Sequence, residues 1–145
     1  MTDSNRLLPG ASPQTRRALF LGWAMYVISF SLPMMDDMWG YEGFWVYFEG
    51  LSDIDSFDLD TLSMLVVNAS NIMMILSPLL LLKGFKHRCL GVTLILGGLH
   101  NIRFIWEVDS EILVAIKALF PAYYVWLLSF FVSGVALWRA PATRA

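Results

Sequence analysis

His100, Asn101 and Arg103 fall within four residues, in a chain otherwise poor in polar side chains. An imidazole, a carboxamide and a guanidinium so close together have the chemistry to hold an anion or a zwitterion. Asn68, Asn71 and Lys117 lie in neighbouring apolar stretches, and counting along those stretches places all six residues at a similar depth. Ionisable groups in such surroundings are costly unless they are paired or wet. Asn68, Asn71, His100, Asn101, Arg103 and Lys117 therefore form a candidate ligand-binding layer, with Asp36, Asp37 and Glu42 as the expected counter-charges. Arg103 also stands one helical turn before Glu107. A plainer reading competes: the two long cations snorkel to a nearby surface, and the asparagines hydrogen-bond neighbouring helices.

A second constellation lies between Asp36 and Phe48. Two aspartates, Asp36 and Asp37, precede six aromatics in ten residues: Trp39, Tyr41, Phe44, Trp45, Tyr47 and Phe48. Phe44, Trp45 and Phe48 share helical spacing, which predicts a short helix lying in an interface. Gly40, Gly43 and Gly50 weaken a helix and leave a turn-rich shelf as the alternative. Such rings anchor a segment at lipid headgroups, or they form a docking face, where exposed aromatics are favoured anchors. Asp36, Asp37, Trp39, Tyr41, Glu42, Trp45 and Phe48 are the candidate interaction face.

Other chemistries lack the residues they need. His87 and His100 are the only histidines, and thirteen residues of helix separate them by about 20 Å. A bis-histidine haem does not fit that distance. The serines have no histidine–carboxylate set at a recognisable spacing. The lone cysteine, Cys89, permits neither an internal disulfide nor a cysteine-rich metal site. The acidic loop carries no calcium-loop motif, and no glycine-rich phosphate loop is present. Basic residues form no stripe interleaved with aromatics, which argues against a nucleic-acid partner. No cofactor and no metal are expected. Lipid-facing chemistry with an Asp or His base is the least favoured reading.

The elements that must position these residues follow from composition. The chain is 57% hydrophobic and only 15% charged, whereas soluble domains are about 25% charged. A membrane span needs roughly 20 mostly apolar residues, and four stretches approach that: about 18–35, 61–82, 89–108 and 112–138. The expected architecture is all-α, a membrane bundle of four transmembrane helices with an interfacial aromatic loop after the first. Residues 1–17 read as a flexible tail, 18–139 as the transmembrane domain and 140–145 as a second tail. Ala18–Met35 is longer than a signal-peptide core and no small-x-small site follows it, so an uncleaved first span is expected. Trp23 and Tyr26 are placed at headgroup level, Asp60 or Thr61 caps the second span, and the fourth is expected to tilt or to kink at Pro121. Thr93 and Gly97, and Ser129 and Ser133, form small-residue pairs suited to close helix approach.

Charge fixes an orientation for that bundle. Arg6, Arg16, Arg17, Lys83, Lys86, Arg88, Arg139 and Arg144 share one side with a single acid, Asp3, and the other eleven acids share the opposite side. Lys and Arg near span ends stay cytoplasmic. Both termini are then cytoplasmic in a multi-pass membrane protein, and the aromatic-acidic loop faces outward.

Ser29-Phe30-Ser31-Leu32-Pro33, then Gly40-Tyr41-Glu42-Gly43-Phe44, Asn68 and Asn71 before Ser77-Pro78, and Tyr123-Tyr124-Val125-Trp126-Leu127-Leu128-Ser129 run through most of the chain. This pattern resembles a group of small uncharacterised bacterial inner-membrane proteins with four spans, of SFFLP and YYLWLxS type. Tyr41 stands where that pattern has tryptophan. The resemblance implies the four-span architecture and no activity. The features together point to a non-enzymatic accessory or interaction subunit working through the outer aromatic-acidic face. Its expected partners are membrane lipids and a membrane protein or second copy of the chain. The alternative is a small-molecule or lipid binding or transport protein using the polar layer. Single cysteines replacing Asp53 and Lys86 should label from opposite sides of sealed vesicles; labelling from one side would overturn the topology.

Overall fold

Ser12 and Pro13 start the first helix. The Ser12 hydroxyl accepts from Thr15 N at 3.1 Å, and Pro13 occupies the first turn, where its missing N–H costs nothing. This helix, α1, is Pro13–Ser29, so it begins inside the stretch expected as tail. The computed structural model describes residues 11–35, 37–50, 58–83, 85–105, 114, 119 and 121–141. The acidic stretches at 52–57 and 109–111 lie outside the described residues.

The first apolar run does not stay helical to Met35. Phe30 N and Ser31 N bond back three residues, to Val27 O at 3.3 Å and Ile28 O at 2.9 Å, and Pro33 then bars the helix. The chain forms a small antiparallel hairpin of β1, Pro33–Met35, and β2, Met38–Trp39, with Pro33 opposite Trp39 and Met35 opposite Met38. It returns to the end of α1 through Gly40 N to Leu32 O at 2.9 Å and Tyr41 N to Phe30 O at 3.2 Å. A Cβ on Gly40 would collide with the Ser29 carbonyl, so only glycine permits that return. Helix α2, Gly40–Glu49, follows, which agrees with the expected short aromatic helix.

Helix α3, Leu59–Leu82, is capped by Asp58, not by Asp60 or Thr61: the Asp58 carboxylate accepts from Thr61 N at 2.9 Å. That bond holds the Asp58 carboxyl below its usual range. Helix α4 is His87–Asn101, ending well before the expected position 108. The Asn101 carbonyl accepts from Tyr123 Oη at 3.0 Å, and Ile102 N and Arg103 N bond back only three residues, so the α-helical ladder breaks there. Helix α5 is Pro121–Arg139, with Pro121 as its first residue and not an internal kink.

The described elements are mostly helical, as expected. Among the described residues, only α3 and α5 are long and apolar enough to cross a membrane, where four such helices are expected from the sequence. The 17 residues of α1 and 15 of α4 rise about 26 and 22 Å, because Pro33 and the Asn101 carbonyl cut their ladders short.

Helix α5 is the element on which both α1 and α4 pack, and α4 also packs on α3. Tyr123, Phe130 and Leu137 on α5 recur every seven residues and are completely buried, the period of a helical-bundle seam. Backbones approach closely at small residues. Gly22 of α1 lies against Ser133, so the Ser129–Ser133 face serves the α1–α5 contact. Thr93 is exposed and bonds its own helix at Cys89 O, so it is not the partner of Gly97 in a helix contact. Gly97 instead meets Ser70 of α3, and α4 and α5 approach closely at Gly91 and Gly134: a Cβ on Gly91 would stand 2.7 Å from the Gly134 carbonyl oxygen. Gly91→Leu is expected to destabilise the chain by about 1–3 kcal/mol through overpacking, read as unfolding in mild detergent. Thr93→Leu, on the exposed face, should change stability by no more than about 0.5 kcal/mol.

Candidate functional site

The expected polar layer separates into a buried lattice and an exposed rim. Asn71 is at the centre of the lattice, 2% exposed. Its Oδ1 accepts from Tyr26 Oη of α1 at 2.9 Å and from Trp126 Nε1 of α5 at 3.0 Å, so one oxygen ties three helices. Trp23 Nε1 donates to Ser77 Oγ at 2.7 Å, a second tie between α1 and α3. Both aromatic donors of α1 thus point into the bundle. Asn68 and Asn101 are likewise buried. Asn101 Nδ2 donates to Ser70 Oγ at 3.4 Å, while its Oδ1 is buried without a protein partner. The adjoining cavity, about 10 Å³, is close to the lower limit for one water molecule.

The rim is formed by His100 and Arg103. His100 Nε2 lies 3.0 Å from Ser63 Oγ. Arg103 pairs with Asp60 at 3.0 Å, with both side chains substantially exposed. Among the described residues Arg103 thus meets a carboxylate in the first turn of α3, and screening leaves such a surface pair little energy. Glu107, Lys117 and Asp36 lie outside the described residues.

Above the rim sits the aromatic cap. The inward side of α2 is fixed by Phe44, whose ring meets Phe30 edge-on at 5.3 Å, and by Gly43 against Met34. Phe48 is half-buried, 4.8 Å from Phe44. The outward side exposes Trp39, Tyr41, Trp45 and Val46, each about half accessible or more. Trp45 and Val46 line a shallow surface concavity between Glu42 and Glu49. Glu42 is also structural, because Trp39 N donates to its Oε2 at 2.7 Å and so caps α2. The Tyr41 hydroxyl donates to its other oxygen at 3.3 Å, and the neighbouring negative charge raises the phenol above its usual pKa. Asp37 is exposed beside the hairpin. Of the expected face, Trp39, Tyr41, Glu42 and Trp45 come together, Asp37 stands near them, and Phe48 turns partly inward.

Between the cap and the rim lies a groove of about 550 Å³, lined by Met34, Met35, Met38 and Met64, with Arg103 and Asp60 also on its wall. Methionines make an adaptable apolar lining. Sequence reasoning misses this groove because its walls come from elements far apart in the chain. It also misses Tyr26 and Trp126, although a phenol and an indole in apolar stretches each need a hydrogen-bond partner. Among the described residues no cluster of metal-ligating side chains occurs. No family model matches the chain, and neither a curated protein nor a solved structure matches it.

Asn71→Leu should leave Tyr26 and Trp126 as unpaired buried donors and destabilise the bundle by about 1–2 kcal/mol, measured by unfolding in detergent. Tyr26→Phe should then cost much less in the Asn71→Leu background than in the parent chain. Equal costs in the two backgrounds would show that the shared acceptor contributes nothing.

Proposed function

We propose that the chain is a multi-pass inner-membrane protein with four spans and both termini cytoplasmic, acting as a non-enzymatic accessory or interaction subunit. Helices α3 and α5 have the length and apolar character of two full spans. Helices α1 and α4 both pack against α5, and the four-span architecture of the proteins the chain resembles supports counting them as spans also. The functional face is the outer aromatic cap. One observation carries this reading: Trp45 and Val46 are exposed on a helix whose other side is locked to the bundle by Phe44, Gly43 and the hairpin. Rigid aromatic anchors lose little entropy on docking. Glu42 and Glu49 flank that apolar strip, so the face suits a segment of another membrane protein, or of a second copy, that offers apolar side chains between lysines or arginines.

The methionine groove supports a second reading, a site for an amphiphile or lipid chain beneath the cap. Its volume lies in the range of small-molecule sites.

Trp45→Ala combined with Glu49→Lys is expected to lower recovery of the partner in mild-detergent purification at least about tenfold, since central aromatic anchors are worth about 2 kcal/mol or more. The unfolding midpoint of the purified chain should stay within experimental error. Undiminished recovery would overturn the interaction reading; a cysteine at position 45 that cross-links two chains would identify the partner as a second copy.

A further inference from the structure

The basic end of the molecule carries a groove of its own. It runs between the start of α1 and the last turns of α5 and has a volume of about 570 Å³. Ala18, Phe131, Val132 and Val135 make an apolar floor; Gln14 and Arg139 stand at the polar mouth. Phe131 and Arg139 are eight residues apart on one helix, so the floor is about 12 Å long. That is enough for the upper part of an acyl chain lying along α5.

Among the described residues, the charges at this end of the molecule are of one sign. Arg16, Arg17 and Arg139 are at this end of α1 and α5, and Lys83, Lys86 and Arg88 occupy the same end of the bundle. The described acids, Asp37, Glu42, Glu49, Asp58 and Asp60, all stand at the opposite end. Among the described residues, then, no carboxylate is available to neutralise the groove's mouth. An occupant must satisfy a hydrocarbon floor and a cationic mouth together, and an inorganic anion satisfies only the second. Residues 1–10 are a poor occupant, because they carry Arg6 with Asp3 and bring no net negative charge.

We propose that the groove between α1 and α5 binds an anionic phospholipid of the cytoplasmic leaflet, with its headgroup phosphate on Arg139 and one acyl chain on Phe131, Val132 and Val135. Basic pockets between helices on that side of a membrane have this chemistry in general. The proposal rests on the membrane-spanning reading above.

The test uses the full chain purified in mild detergent and titrated with phosphatidylglycerol or phosphatidylcholine of identical acyl chains, with bound lipid counted by native mass spectrometry. One phosphatidylglycerol should be retained about fivefold more strongly than phosphatidylcholine, the effect expected of one basic residue at a bilayer surface. Arg139→Gln should abolish that preference, and Val135→Trp should reduce retention of both lipids by filling the floor. Thr93→Leu, on the exposed face of α4 and outside every groove described, should leave the preference intact. Equal retention of the two lipids, or an unchanged preference in Arg139→Gln, would overturn the proposal. So would displacement of the lipid by millimolar inorganic phosphate, or loss of the preference when residues 1–10 are deleted. A chain that stays dissolved without detergent would instead overturn the membrane reading itself, so the two failures are separable.

Discussion

One carboxamide oxygen sets the geometry of the bundle. Asn71 Oδ1 accepts from α1 and α5 at once, and it does so where little else is directional. Apolar contact between oily helices tolerates rotation and sliding, because hydrophobic and dispersion forces prescribe no register. A buried donor without an acceptor is penalised far more sharply than a shifted leucine. The Tyr26 and Trp126 donors therefore select one rotation and one height for each of their helices relative to α3. Trp23 on Ser77 repeats the selection nearer the basic end of the same pair. Helix α4 is fixed by other means: its glycines lie against Gly134 and Ser70, and Tyr123 holds the carbonyl of its last residue.

Where the structure agrees with the sequence, it does so along helix axes; where it departs, the cause is rotation about them. Asn68, Asn71 and Asn101 lie buried at neighbouring levels, where residue counting places them. Which of them faces a donor is not legible, because a helix apolar on all sides has no periodicity to reveal its inward face. For the same reason the sequence alone puts Thr93 in the helix contact. Gly91 meets the backbone of α5, yet nothing local distinguishes it from Gly97 or Gly98. Helix ends are hard to read for a related reason. Pro33 is legible as a stop, but the retreat of the helix to Ser29 depends on Gly40 folding back onto the Ser29 carbonyl, a contact eleven residues away. The end of α4 depends on Tyr123 taking the Asn101 carbonyl, from twenty-two residues away. The aromatic helix is legible because its spacing is local, whereas the methionine groove beneath it is not.

The cap is rigid for reasons that also limit what it offers. Glu42 closes the first turn of α2 through Trp39 N and holds the Tyr41 hydroxyl, so its charge is partly committed within the chain. Phe44 and Phe48 spend their faces on Phe30 and on one another. What stays outward is a strip of Trp39, Tyr41, Trp45 and Val46 with Glu49 at its edge.

The two ends of the bundle therefore balance their charges differently. At the acidic end several carboxylates have internal employment: Asp58 caps α3, Glu42 caps α2 and Asp60 pairs with Arg103. At the basic end the described acids are missing altogether. A cluster of like charges on a folded surface repels itself, and solvent counterions answer that only weakly and non-specifically. Anionic headgroups held at the ends of the helices answer it at fixed positions, with apolar floor beneath them. On the proposed lipid reading, the groove beside Arg139 draws compensating negative charge from outside the polypeptide, whereas among the described residues the acidic end holds part of its compensating charge within the chain.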